Sequence, residues 1–502
     1  MKVGDLLPFE TNRQQVCLTA VTEEQQKQSI SEVIYSSLKD ESSTLSVNKK
    51  QKLPKLLLKY EAIISRGSTD IGSCKLLTHR IDTGDTNPIR MAPRRIPYFQ
   101  QEEVQQDITA KEDAGIVKKS TFPWAFPIVV VRKQDSTARI CVDYRRINDV
   151  TKKDAHPLSS IDDVFDALRG AKYFSTLDLA SGYHPVPVET RDQEKKGFVT
   201  PWGHYEYTVM PFGLCNAPAT FQRLMALVFS GLIGIDCLIY LDNIIIFGPT
   251  FDVHIIRLEK VFARLQQENL NIRLSKCKFG LAAVKFLGHI VTADGIGVDP
   301  EKISTIQDWQ LPQCVTQMRF FLWLASYYRR IIETFGKIAA PLTKMLVNNR
   351  PIVWDDDAKN ALLEHRTRLA NAPILIYPDF SVPFLLYSDS SDKGIGAVPS
   401  QIGKYQLKHS IAYFSRTFGK LERNYSTTQK ELLAAIEGIE HFRCYLYGRQ
   451  VLLRTDNVAI QWLKIFKEPT GQLARWLERL SAYDFIVQHR PGRKHLNADA
   501  LS

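Results

Sequence analysis

The stretch Cys237-Leu-Ile-Tyr-Leu-Asp-Asn-Ile-Ile-Ile-Phe-Gly248 sets a short apolar run on each side of an Asp-Asn pair. Short apolar runs rich in β-branched residues read as strands buried on both faces. Asp-Asn between them reads as a tight hairpin turn. A second strand signal, Tyr173-Phe-Ser-Thr-Leu-Asp-Leu179, puts Leu177 and Leu179 on one face and Asp178 on the other, by the period of two. Were the two strands adjacent, Asp178 and Asp242 would form a carboxylate pair able to hold two divalent ions about 4 Å apart for phosphoryl-transfer chemistry. Spacing alone leaves the plain turn and the metal pair both open.

Composition narrows the partners. Lys and Arg outnumber Asp and Glu by 65 to 54 in 502 residues, a net charge of +11. That balance favours polyanions, since each neutralised phosphate releases counterions. The eight cysteines are scattered with no C-x-x-C pair, so neither a zinc knuckle nor a disulfide framework is expected. The N-terminal MKVGDLLPFE is not a signal peptide, and the most apolar stretch, Ala226 to Tyr240, is broken by Ser230, two glycines and Asp236. An intracellular, cytoplasmic protein with no membrane partner is the expectation.

Organisation along the chain is uneven. Residues 1–52 are polar and Gln/Ser/Lys-rich, as in a tail or linker. Regions 125–290 and 384–502 read as strand-rich around isolated carboxylates. Between them, 296–370 reads as helical, with Asp299 as N-cap, Pro300 in the first turn, and aromatics recurring at Trp309, Phe320, Trp323 and Tyr327.

Tyr240-Leu-Asp-Asn243 resembles the Y-x-D-D box of reverse transcriptases, and LDLASGY (177–183) resembles their first metal motif. Val209-Met-Pro-Phe-Gly-Leu-Cys-Asn-Ala-Pro-Ala-Thr-Phe-Gln222 is similar to the template-contacting motif of Ty3/gypsy-type (Metaviridae) LTR-retrotransposon Pol polyproteins. Cys141-Val-Asp-Tyr-Arg-Arg-Ile-Asn148, Phe286-Leu-Gly-His289 and Tyr327-Tyr-Arg-Arg330 follow in that family's order. The resemblance runs from about Lys55 to Ser502. It implies an α+β fold: a right-hand polymerase of fingers, palm and thumb, then an RNase H-like α/β domain with a mixed five-stranded sheet. The expected division is a lead-in at 53–92, fingers and palm at 93–295, thumb and connection at 296–375, and the RNase H-like domain at 376–502.

The resemblance assigns roles residue by residue. Asp178 and Asp242 would bind the polymerase metals. Lys133 and Arg139, on the finger hairpin, would grip the incoming triphosphate. Tyr183 would be the aromatic gate against a 2′-hydroxyl, with Phe212 and Gly213 beside the template–nucleotide pair. Lys276 would serve the pyrophosphate, and Phe286 to His289 would form the primer grip. At the C-terminal end Asp389, Glu431, Asp456 and Asp499 match the four acids of a retroelement RNase H. The implied cofactor is Mg²⁺, two ions per site, with Mn²⁺ as a substitute. The implied partners are an RNA template, a DNA primer, the RNA–DNA hybrid and deoxynucleoside triphosphates, and the family admits a dimer. A virus-like particle would be the setting of an intact element.

Glu431 has a second reading from the residues alone, because Thr428-x-x-Glu431 spells a capping box for a helix with the apolar face Leu432, Ile436, Ile439 and Phe442. Ile81-Asp-Thr-Gly84 spells the aspartic-protease triplet, but Asp85 follows where a small residue is wanted, so no protease is expected there. Several positions depart from the family. Asn243 replaces the second acid of Y-x-D-D, taking one negative charge from beside two dications and predicting weak or absent DNA synthesis. Pro185, Pro187 and Pro399 fall where strand residues are expected, each removing a ladder donor. Trp323 stands in place of a usual glycine. The alternative to a polymerase–nuclease is a decayed or repurposed copy that binds nucleic acid with RNase H activity only, or with no catalysis.

Overall fold

A computed structural model describes residues 32, 34–35, 47–67, 69–132, 138–157, 160–180, 182–346, 352–403, 406–455 and 471–489. Residues up to Glu61 are a unit of their own. Its helix Val47–Lys59 begins inside the stretch expected as a polar tail, because a lysine- and leucine-rich run keeps good helix propensity. Everything from Ala62 onward belongs to a second unit.

In that second unit the apolar runs form the centre of a four-stranded sheet. Its order is Cys237–Tyr240, Asn243–Gly248, Tyr173–Asp178, Lys278–Leu281. Ile244, Ile245 and Ile246 are fully buried, as a two-sided apolar run requires. Burial of each such side chain contributes about 1.5–3 kcal/mol. Helix Phe251–Gln267 covers one face with Leu258, Val261, Phe262 and Leu265, and Thr250 caps it by accepting from the Val253 amide at 3.4 Å.

A five-stranded sheet interleaves with it in sequence, three strands before Tyr173–Asp178 and two after, ordered Val117–Lys119, Gly203–Tyr207, Gly197–Thr200, Phe126–Arg132, Ala138–Val142. A three-stranded sheet, Ala283–Phe286, His289–Thr292 and Ile296–Val298, leads into helices Pro300–Gln307, Val315–Tyr327, Phe335–Lys344 and Asp356–Ala370. The first of these starts as the sequence predicts: Asp299 accepts from the Glu301 amide at 3.1 Å and Pro300 occupies the first turn. The last sheet is mixed. Its spatial order is Lys408–Ser410, Gly394–Ile402, Phe384–Ser390, Gln450–Thr455, Asp484–His489, with the final pairings parallel. Phe414–Thr417 also pairs with Gly394–Ile402, so the expected five positions hold six strand segments, the outer one split in two. Helix Thr427–His441 buries Leu432, Ile436 and Ile439 against this sheet.

The prolines break nothing. Gly394–Ile402 runs through Pro399, whose carbonyl accepts from the Ile411 amide at 2.9 Å. Amide and carbonyl of one strand residue face the same side, so the missing donor points at the segment between the two halves of the split edge. Pro185 lies in a turn and Pro187 in an isolated bridge to Val209, neither in a strand. Their carbonyls accept from Cys74 and His79, while the Val186 carbonyl between them accepts from Met210 on the other side. The protease-like Asp82 sits in a turn, accepting from the Gly84 amide at 3.0 Å and pairing with Lys152.

Candidate active sites

The Asp-Asn pair and Asp178 come together. In the ladder between Tyr173–Asp178 and Asn243–Gly248, Asp178 stands opposite Asn243, and Asp242 occupies the hairpin turn beside it. The turn is strained: Leu241 has φ 55°, a left-handed conformation unusual for a branched side chain. It is held by Gln222, the last residue of the PFGL-containing motif, whose Oε1 accepts from the Leu241 amide at 2.9 Å. Asn243 donates from Nδ2 to Asp242 Oδ1 at 3.0 Å.

Asp178 and Asp242 line a cleft of about 480 Å³ together with Arg139, Phe212, Arg273 and Lys276. Burial pushes the Asp242 carboxyl up, and the nearby charge of Asp178 pushes the same way, while Lys276 opposes it. The Lys276 ammonium is 3.5 Å from Asp178 Oδ2. The all-oxygen donor set of two neighbouring carboxylates suits a hard divalent cation, although the hairpin turn offers Asn243 in place of a further acid. Among the described residues no three His, Cys, Asp or Glu side chains cluster as a metal site.

The aromatic floor is assembled by a glycine. Gly182 has φ 55°, and a Cβ there would come within 2.6 Å of the Phe212 ring. Its absence lets Phe212 pack at 5.2 Å from Tyr183. The Arg139 guanidinium lies 4.6 Å from the centroid of the same Phe212 ring. Gly213 has φ 96°, which its lack of a side chain permits, and its carbonyl accepts from Asn148 at 2.8 Å. His184 lines the same cleft; burial, with Lys111 and Arg139 nearby, lowers its pKa to about 4, so it stays neutral. Lys133 lies outside the described residues.

Asp389, on a strand of the last sheet, and Glu431, on the helix packed against it, are both buried. Glu431 Oε1 accepts from the Ser390 amide at 3.0 Å and from the Ser390 hydroxyl at 2.6 Å, which ties the helix to the strand bearing Asp389. The capping expectation for Glu431 is corrected. The N-cap is Ser426, in a reciprocal box with Gln429, two residues earlier than Thr428 and Glu431. Glu431 is thereby inside the helix and faces the sheet. Asp456 and Asp499 lie outside the described residues, although the strand Gln450–Thr455 that leads to Asp456 runs parallel to the Asp389 strand.

Sequence reasoning missed Gln222, Lys111 and Arg273. Gln222 was visible as the end of a quoted motif, but its bond to Leu241 needs the fold. Nothing in composition marked Arg273, whose amide donates to the Asp178 carbonyl at 2.9 Å.

This geometry is that of a reverse transcriptase palm followed by an RNase H-like domain. A family model described as reverse transcriptase (RNA-dependent DNA polymerase) matches residues 131–291, and one described as RNase H-like domain found in reverse transcriptase matches 379–483. The chain belongs to the Ty3/gypsy-type retrotransposon Pol polyproteins, as their reverse transcriptase–RNase H segment. It is 37% identical over 460 residues to the retrovirus-related Pol polyprotein from transposon 297 of Drosophila melanogaster, covering 90% of this chain and 43% of that protein. To the corresponding polyprotein from transposon gypsy of the same organism it is 34% identical over 445 residues, covering 85% and 42%. The chain thus spans less than half the length of these relatives. Among solved structures, foamy viral protease–reverse transcriptase in complex with dsDNA has the same fold, with TM-score 0.81 at 24% identity over 92% of this chain and 97% of that one. The same viral protein in complex with an RNA/DNA hybrid gives TM-score 0.76 at 23% identity, covering 92% and 63%.

Proposed function

We propose that this chain copies RNA into DNA and cleaves the RNA strand of RNA–DNA hybrids, with a polymerase step weakened at Asn243. The observation that carries this reading is the meeting of Asp178 and Asp242 in one cleft lined also by Arg139, Lys276 and Phe212, with Tyr183 packed against the Phe212 ring. Divalent ions held by Asp178 and Asp242, and by Asp389, Glu431, Asp456 and Asp499, would activate the attacking oxygen and steady the leaving group; Mg²⁺, two per site, is the proposed species, with Mn²⁺ as a substitute.

The chain's own residues do the rest. Arg139, together with Lys133, which is outside the described residues, meets the triphosphate, and Tyr183 excludes a sugar bearing a 2′-hydroxyl. Phe212 and Gly213 bound the template–nucleotide pair, and Lys276 stands ready to give a proton to departing pyrophosphate. The proposed partners are an RNA template, a DNA primer, their hybrid and deoxynucleoside triphosphates, and a second copy in a dimer. Support comes from the dsDNA- and hybrid-bound foamy viral relatives and from a basic chain. The finger, palm, thumb and nuclease divisions at 93–295, 296–375 and 376–502 belong to this reading; the separate sheets support them. So does a cytoplasmic setting, favoured by buried, reduced Cys74, Cys237 and Cys277. Among the described residues, no helix is long and apolar enough to cross a membrane.

One observation favours a second reading, a copy that retains only nuclease activity: the Asn243 amide donates to Asp242 where a further carboxylate would add charge. Primer extension on an RNA template, with hybrid cleavage followed in the same tube, separates the two. Extension by the native chain and none by Asp178→Ala supports a tolerant polymerase. Extension only by Asn243→Asp, with RNA cut in every case, supports the nuclease-only copy. Neither activity in any variant sinks both.

A further inference from the structure

Within four residues, Tyr327 to Arg330 reach three separate parts of the second unit. The Tyr327 hydroxyl donates to the Leu287 carbonyl at 2.6 Å and the Tyr328 hydroxyl to the Gly288 carbonyl at 2.8 Å. Leu287 and Gly288 form the tip of the hairpin Ala283–Thr292, at φ 46° and 68°. Arg330 turns elsewhere. Its Nη1 donates to Asp162 at 2.9 Å, and its Nη2 to Asp166 at 2.7 Å and to the Tyr445 hydroxyl at 2.9 Å. The Tyr445 hydroxyl in turn donates to Asp166, and the Arg330 carbonyl accepts from the Tyr413 amide at 2.8 Å. The Arg330 and Asp166 side chains are 16% and 13% exposed, so these charge-assisted bonds are poorly screened and leave an uncompensated charge when one partner goes.

Each partner is a short, stiff lever to a candidate site. Asp166 ends the helix Ile161–Asp166, and buried Leu168 and Phe174 anchor the passage from it into the strand that ends at Asp178. Tyr445 stacks at 6.2 Å and 13° on Phe384, the first residue of the strand bearing Asp389, and its helix follows directly on the one carrying Glu431. Arg330 lines neither site.

We infer that Tyr327 to Arg330 is a positioning element that fixes the span between the Asp178/Asp242 cleft and the Asp389/Glu431 site, and so sets how far behind the primer's 3′ end the RNA of a hybrid is cut. This rests on the polymerase–nuclease reading above. Arg330 is a positioning residue, coupling the sites through Asp166 and Tyr445.

The test uses the full chain, a preformed hybrid with end-labelled RNA and a recessed DNA 3′ end, and the variants Tyr445→Phe and Arg330→Gln. Total cleavage is expected to stay within about threefold of the native rate. The native chain is expected to cut at one main distance from the primer end, whereas both variants spread their cuts over several positions. Small-angle scattering of the free chains is expected to show a larger radius of gyration for both variants. An unchanged cut position in folded variants overturns the inference. A general loss of cleavage with an unchanged radius also overturns it, since that marks a local structural role. Should no variant and no native chain cut the hybrid, the nuclease reading fails, and the scattering arm still decides whether the joint holds the span. Tyr445→Phe, which removes a single oxygen, decides alone if Arg330→Gln does not fold.

Discussion

Gln222 Oε1 accepts the Leu241 amide at 2.9 Å and so holds the turn that presents Asp242. Leu241 keeps a left-handed backbone only because its surroundings over-determine it. Gln222→Leu strands that amide in a partly buried place, a cost of about 1–3 kcal/mol. The expected outcome is a fall in kcat for primer extension of about tenfold, measured in the Asn243→Asp background where extension is strongest. In a chain of this size that cost lowers the melting temperature by only a few degrees, about 2–4 °C per kcal/mol or less. Equal loss of activity and fold would show that the bond serves stability only.

Gly182→Ala tests the floor of the cleft. Its Cβ would collide with the Phe212 ring, at a φ that L side chains rarely adopt. Phe212 must then leave Tyr183. A rise in the KM for deoxynucleotides, with the KM for the primer–template unchanged, is the expected outcome. An unaltered nucleotide KM would dissociate the ring pair from nucleotide binding.

Two substitutions at one helix should come apart. Glu431→Gln is expected to abolish hybrid cleavage while leaving the melting temperature close to native, because Ser426 and Gln429 cap that helix. Ser426→Ala is expected to cost about 1 kcal/mol of stability and leave the cleavage rate of folded protein unchanged. The opposite pattern would return Glu431 to a capping role.

Acid should loosen the fold. Burial lowers the pKa of His79, His254 and His365 to about 4, each from an ordinary value of 6.5. In the fold they stay neutral, while the unfolded chain takes up protons below 6.5, so their contribution is complete above that value and is lost as pH falls toward 4. His365 has neither ring nitrogen hydrogen-bonded among the described residues and packs between Phe321 and Phe335. His365→Leu is therefore expected to stabilise the chain, by more at pH 5 than at pH 8, with a limiting difference of about 3 kcal/mol. Denaturant melts at the two pH values check this; equal gains would assign the effect to packing alone. Lys196 works in the same direction at higher pH. Burial brings its pKa to about 7 from 10.5, so its stabilising share is lost as pH falls from 10.5 toward 7.

What the sequence made legible was periodic or local. Alternation around Asp178, the apolar runs flanking Asp242, and Asp299-Pro300 at a helix start each depend on neighbours in the chain, and each stands as read. The helix cap was misplaced because Ser426-Thr-Thr-Gln429 and Thr428-Gln-Lys-Glu431 overlap as two frames of one pattern. Only packing against Ser390 decides which frame the helix uses. The effect of the prolines is not legible locally, because one strand cannot show which neighbour its missing amide faces. Arg330 could be seen as part of a motif, but Asp166 and Tyr445 lie on opposite sides of it in the chain, and no local pattern pairs them.

The divided strand beside Pro399 bears on how the molecule behaves in a crowded solution. An outer strand with a full row of unused amides and carbonyls templates pairing with a second chain and begins aggregation. Here that border is two short pieces, Lys408–Ser410 and Phe414–Thr417, and the Gly336 amide of an adjoining helix donates to Ser415 Oγ beside the second at 2.8 Å. A proline that interrupts hydrogen bonding toward this border, and a helix laid against it, leave too little continuous backbone for a neighbour to add itself as a further strand.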